Sequence, residues 1–306
     1  MPVRYFTHNE IDKNLWDDTV TRSPNGVFYA LSWYLDLVSP GWDALADENY
    51  ESIFPLTHKK KYGISYLCQP RFTQQLGLIS KARVSSDRVN LFLHSFPRQF
   101  RYVEINLNKD NIASQEGFIF KQNIDLELDI SSDISEIRKA YSQNLTRNLK
   151  KAAKSELHYE QGATNIHDMI SLFRKNKGSE LDNLSSTDYA LLSLLLNEII
   201  RHGKGEVHSA FNKSGNMIAA AFFATFREKR IFLFSATCRE SKETGAMSGL
   251  IDHYISLNCG QKCILDFEGS NDTKLARFYR GFGSKAFTYQ QVKKNNLPPV
   301  LRWMKK

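Results

Sequence analysis

Apolar positions along the 306-residue chain fall into short blocks, some repeating near every second residue and others near 3.6, with polar or glycine-rich breaks between them. In the first half, residues 10–16 and 28–38 read as helices. Pro24-Asn25-Gly26 turns the chain between them, and Pro40-Gly41-Trp42 closes the second. Residues 50–58 and 64–68 read as strands joined through a charged turn at 59–63. A helix follows at 87–95, with Val89, Leu91 and Phe92 apolar, then a strand at 102–107 and one or two more within 118–129.

At residues 129–133 the composition turns polar, and Ser131, Ser132 or Asp133 can cap a helix that continues through Ile134, Ile137, Tyr141, Leu145 and Leu149. A domain junction is expected here, giving domains at 1–130 and 131–306. Beyond it come helices at 166–176 and 187–202 and strands at 207–212, 217–226 and 230–236. A polar loop at 238–244 leads to a helix at 245–258. The chain then runs as a strand (264–267), a polar turn, a short helix with Leu275, Ala276, Phe278 and Tyr279, a stop at Gly281-Phe282-Gly283 and another apolar run at 286–289.

An apolar content of 42% with 12% aromatics supports packed cores and excludes a disordered chain. The net charge of +8 suggests a polyanionic partner, although a lysine-rich solvated surface gives the same number. Cys68, Cys238, Cys259 and Cys263 have no zinc-site spacing and read as free thiols. The first residues lack an apolar signal segment, and no run approaches the roughly 18 apolar residues that span a bilayer. A soluble cytoplasmic protein is therefore expected. Metalloprotease, nucleophile-elbow, P-loop and dinucleotide patterns are all missing from the sequence.

Three segments carry candidate chemistry. In residues 264–283, Tyr279 can protonate a leaving group, and it can equally be a core aromatic. Asp266 and Glu268 alternate on the preceding strand, so both carboxylates are expected on one side, suited to an amine; Ser270 and Asn271 are expected to cap the helix. Lys242, Gly245, Ala246 and Gly249 open a helix in the manner of a phosphate-binding loop, and the same glycines admit a packing role. In residues 142–154, Arg147, Lys150 and Lys151 stand without an intervening acid and are expected to face phosphates. Residues 69–77, QPRFTQQLG, offer Arg71 and Gln74 to a peptide or sugar ligand, or form an ordered loop of their own.

The segments DFEGSNDTKLARFYRGFG (266–283), SQNLTRNLKKAAK (142–154) and QPRFTQQLG together resemble the FemABX-like branch of the GNAT acyltransferase superfamily. The resemblance implies an α/β (α+β) chain of two tandem GNAT-like domains, each a mixed, mostly antiparallel sheet flanked by helices. It also implies acyl or aminoacyl transfer to an amine on a small molecule or peptide, such as a cell-wall precursor. The donor would be acyl-coenzyme A or aminoacyl-tRNA, with charged tRNA a partner, no DNA and no tightly bound cofactor. Tyr279, Asp266 and Glu268 would form the catalytic set. Lys242, Gly245, Ala246, Gly249 and Asn271 would hold the donor, and Arg147, Lys150, Lys151, Arg71 and Gln74 the substrate. A catalytically degenerate protein that binds a nucleotide-linked or RNA ligand is the alternative.

Overall fold

The computed structural model describes residues 2–162, 165–180, 184–269 and 271–298. Within them the chain forms two compact units, the first comprising residues 2–123 and 288–298 and the second residues 124–287. The division falls a few residues before the junction expected at 130, and the chain returns to the first unit after Phe287.

The first unit holds β1 (Arg4–Phe6), α1 (Lys13–Arg22), α2 (Ser32–Val38), β2 (Asp43–Ala46), β3 (Ser52–Leu56), β4 (His58–Lys61), β5 (Ile64–Cys68), β6 (Ile79–Ser80), α3 (Ser86–His94) and β7 (Phe100–Asn106). Strands β1, β2, β3 and β6 form one antiparallel sheet in that order. The lysines expected in a turn at 59–63 instead extend β4, and the reversal tightens to Tyr62-Gly63, both at positive φ. β5 lies parallel to β7. A core of Phe54, Leu56, Leu67, Phe92, Val103, Ile105 and Val292 fills the unit.

β8 (Ile119–Asp129) carries the chain into the second unit, which continues with α4 (Ile134–Lys139), α5 (Gln143–Lys154), β9 (His158–Gln161), α6 (Ile166–Lys175), α7 (Ser186–Arg201), β10 (Gly205–Phe211), β11 (Met217–Phe226), β12 (Lys229–Thr237), α8 (Arg239–Thr244), α9 (Ala246–Asn258), β13 (Ile264–Asp266) and α10 (Thr273–Arg280). β14 (Lys285–Asn295) leads back and pairs with β7. The expected single helix through 134–149 is two helices. The chain breaks at residues 140–142, where the Ser142 hydroxyl caps α5 by accepting from the Leu145 amide. The expected loop at 238–244 contains α8, whose polar sequence shows no apolar period.

The second unit's strands run in the order β8, β13, β12, β11, β10, β9, antiparallel throughout except between β12 and β13. One face is apolar: Leu126, Leu128, Phe223, Phe232, Leu265 and Phe267 meet Leu250, Tyr254 and Ile255 of α9 and Ala276 and Tyr279 of α10. Tyr254 stacks on Phe223 with ring centroids 3.5 Å apart. Each such large side chain contributes about 1.5–3 kcal/mol through burial, so this face anchors both helices.

Candidate active site

The parallel pair β12–β13 is short. Its register runs only through Lys229↔Ile264, Arg230↔Leu265 and Ile231↔Asp266, whereas β12 continues to Thr237. Where the two strands part, Asp266 ends β13 and its side chain folds onto the following turn: its Oδ1 accepts the Glu268 amide at 2.8 Å. That local bond is the kind by which aspartate sets a turn. Glu268 takes φ +55° and Gly269 φ +45°, the first an uncommon conformation for a residue with a side chain. Gly269 is required here, because a Cβ would lie 2.1 Å from the Ile124 carbonyl oxygen.

Alternation sends neighbouring side chains of this segment to opposite faces. Leu265 and Phe267 enter the apolar core, and Tyr279 stacks on Phe267 at 4.7 Å. Asp266 points to the other face, where its Oδ2 is 3.0 Å from the Lys229 ammonium. Lys229 also lies 2.5 Å from Glu127 Oε1, and Asp125 completes a buried group of three carboxylates. Burial, reinforced by the negative charge of Asp266, pushes the Asp125 carboxyl up to about 8. The surrounding carboxylates Asp266 and Glu127 pull the Lys229 ammonium upward against the opposing effect of burial.

Glu268 has different surroundings. The residue as a whole is half-buried, but its Oε1 is shut off from solvent and has no hydrogen-bond partner. Burial holds this carboxyl well above the ordinary value of 4.5. Tyr279, 4% exposed, is pushed upward by its own burial and then by the neighbouring Glu268 charge. An ionisable pair perturbed in this way is a mark of functional sites. The expectation that Asp266 and Glu268 share one side is therefore corrected: the strand ends at Asp266, and the left-handed residue that follows brings Glu268, not Asp266, to Tyr279.

Gly245 joins α8 to α9 at φ +74°, and a Cβ there would lie 2.4 Å from the carbonyl oxygen of Asn148 on α5. At Gly249 a Cβ would meet Tyr159 Oη at 2.1 Å and the Ala152 side chain at 3.0 Å. Ala246 is buried and Lys242 exposed. Gly245 and Gly249 thus sit in close packing against α5 and β9, with Ala246 buried beside them. Helix α10 is capped by Asp272, which accepts from Lys274 and Leu275, and not by Asn271; the Asn271 side chain instead accepts from the Ile124 amide at 3.4 Å. Ser270 lies outside the described residues.

On α5, Arg147, Lys150 and Lys151 are exposed, while Leu145 and Ala152 bury the opposite side. A cleft of about 260 Å³ joins this helix to α10, lined by Asn144, Asn148, Arg277 and Arg280 among others. None of these five cations has an ion-pair partner among the described residues. In the first unit, the 69–77 loop spends its side-chain amides on itself and on the neighbouring backbone of Asn106 and Lys109. Gln74 accepts from the Gln75 side chain at 2.8 Å, and Gln69 donates to Thr73 O at 3.0 Å. That is the ordered-loop alternative; Arg71 is exposed on its rim.

Asp125, Glu127 and Lys229 were not expected at a site. The first two leave a legible signal, acids at every second position of a strand whose other positions are leucine and isoleucine. Lys229 leaves none, since it reads as the residue before a strand.

No protein-family model and no curated protein sequence matches the chain. Solved structures do. FemX superposes with a TM-score of 0.69 at 12% identity over 100% of both chains. L-PGS from Bacillus licheniformis gives 0.55 at 10% identity, covering 96% of this chain and 95% of that one. A tandem GNAT protein from the clavulanic acid biosynthesis pathway gives 0.54 at 8% identity, covering 97% and 99%. With this architecture and these likenesses, the chain has the tandem GNAT fold of the FemX-like proteins.

Proposed function

We propose that the protein is an N-acyltransferase that moves an acyl or aminoacyl group onto an amine. The observation that carries this reading is the Glu268 carboxyl, whose Oε1 is shut off from solvent without a partner and whose charge acts on Tyr279, where β12 and β13 part. Glu268 takes the proton from the attacking amine as the new C–N bond forms. Tyr279 gives its proton to the departing oxygen or sulfur as the bond from the carbonyl carbon to the donor breaks. A carboxylate with a raised proton affinity is the stronger base, and a site shut off from water protects the intermediate.

The favoured donor is an aminoacyl-RNA. The unpaired cations of α5 and α10 suit a phosphate backbone, whereas the packed glycines at 245 and 249 leave less support for coenzyme A pyrophosphate. Arg147, Lys150 and Lys151 hold donor phosphates in this reading. The acceptor is an amine on a peptide or small molecule. The same basic face also favours the second reading, an RNA-binding protein without transferase activity.

Thermal-shift and binding assays with acetyl-coenzyme A and with aminoacylated tRNA test the donor. Aminoacyl-tRNA is expected to stabilise the protein, with affinity falling steeply in salt and the slope reduced by about 0.9 for each phosphate contact removed, as in Lys151→Ala. Stabilisation by acetyl-coenzyme A alone would reverse the donor assignment. Salt-sensitive RNA binding with no transfer to any amine would favour the second reading.

A further inference from the structure

The Glu268 conformation is costly on its own, since a side-chain-bearing residue at φ +55° persists only where its surroundings over-determine it. A continuous chain of contacts does so. The Lys229 ammonium on β12 holds Asp266 Oδ2 on β13 at 3.0 Å, and the other oxygen of that carboxylate holds the Glu268 amide at 2.8 Å. The ammonium also meets Glu127 of β8, which stands opposite Asp266 in the strand register and lies to the side of that path. Asp125 presses on the same group from the next inward position of β8, and Gly269 is wedged against Ile124. Tyr279 of α10 feels the Glu268 charge from the other face.

Resting on the acyl-transfer reading, we infer that Lys229 is a positioning residue for the reaction: acting through Asp266 on the opposite face of the sheet, it locks the turn that holds the Glu268 carboxylate beside Tyr279.

Buried ion pairs are poor stabilisers, because desolvation of both charges offsets their attraction. A half-buried lysine held against buried carboxylates therefore has limited value to the fold as such, and more as a geometric clamp. Lys229 is too distant in role to touch substrate: its ammonium is committed to Glu127 and Asp266. It clamps one carboxylate oxygen, so that the other oxygen is left in a single orientation toward the Glu268 amide. Without the clamp, Asp266 can rotate, the turn can relax toward extended backbone, and water can reach Glu268.

The test follows the proton affinity of Glu268 directly. The carboxyl carbon of Glu268 is followed by NMR in ¹³C-glutamate-labelled protein and assigned by its loss in Glu268→Gln. Its titration midpoint is compared in the native protein, Lys229→Met and Glu127→Gln. Both variants disturb the buried charges, but only Lys229→Met breaks the path to Glu268. The midpoint is expected to fall by about one unit or more in Lys229→Met, roughly a tenfold weaker hold on the proton, and to stay in place in Glu127→Gln. The acidic limb of the rate–pH profile should move down in the same variant, with kcat reduced more than KM is changed. Lys229→Arg, which keeps the charge, should restore both.

An unmoved midpoint in Lys229→Met, or an equal shift in both variants, overturns the inference. If Lys229→Met does not fold, Asp266→Ala, which deletes the acceptor of the Glu268 amide, replaces it in the same comparison. A midpoint that moves without any change in turnover supports the clamp and counts against Glu268 as the base. The two proposals therefore fail separately.

Discussion

Two turns of the second unit bring a glycine at positive φ to the approach of a helix, Gly269 before α10 and Gly245 directly before α9. In sequence Gly245 opens its helix in the manner of a phosphate-binding loop, while Gly269 lies in the polar turn after the 264–267 strand. At Gly245 the space left by the missing side chain is filled by Asn148 of α5, and the neighbouring Ala246, Ser248 and Gly249 are buried. At Gly269 the glycine is equally crowded, against Ile124, but the residue before it carries a carboxyl oxygen, Oε1, that is shut off from solvent with no hydrogen-bond partner. A glycine therefore marks close approach, and the polar group left unpaired beside it decides whether that approach serves packing or chemistry.

The largest effect expected from this contrast is at Tyr279. Tyr279→Phe should reduce the rate of transfer by about 10²-fold or more with little change in melting temperature, because the ring still stacks on Phe267. Unchanged turnover would leave Tyr279 a core aromatic only. At the other turn the effect should be on stability. Gly245→Ala must accept φ +74° and a Cβ 2.4 Å from a backbone oxygen, so a loss of about 1–3 kcal/mol is expected in denaturant melts. Turnover per folded molecule should stay as it is. A raised donor KM with normal stability would return Gly245 to the phosphate-binding role.

A smaller effect separates the two faces of the sheet. The Asp125 proton affinity is raised from an ordinary 3.8 to about 8, chiefly by burial. The folded state thus holds a proton that the unfolded chain releases, and stability falls as pH rises between those values. The contribution is fully present below about pH 4 and lost as pH passes through about 8. Asp125→Asn, which stays neutral, should flatten the pH dependence of the melting temperature and gain on the native protein at alkaline pH. An unchanged slope would mean that Asp125 is not the group titrating.

The fold was legible where periodicity was long. The pattern of residues 264–283 marked out β13, α10 and the stop after Arg280, and residues 217–226 marked out β11 without error. Short elements were legible only with help from a neighbour: β1 and β13 have three residues each, and β13 alone, followed by a strongly patterned helix, was read. The site was half legible. Glu268 and Tyr279 were named from their order in the chain, and Asp125 and Glu127 were visible as acids alternating in a strand. Their division between two faces was not. It depends on a left-handed residue held by Asp266, which is held in turn by Lys229, 37 positions away in sequence. No local pattern encodes a contact of that range.

The central claim is that this fold transfers an acyl group to an amine using Glu268 as base. The most direct measurement is single-turnover transfer from aminoacyl-tRNA to amine-bearing peptides, followed across pH for the native protein and Glu268→Gln at equal RNA occupancy. The account predicts transfer by the native protein, with an acidic limb above the ordinary carboxylate range, and a loss of about 10²–10⁴-fold in Glu268→Gln with RNA affinity unchanged. Equal transfer by the two proteins, with the same pH profile, would contradict it.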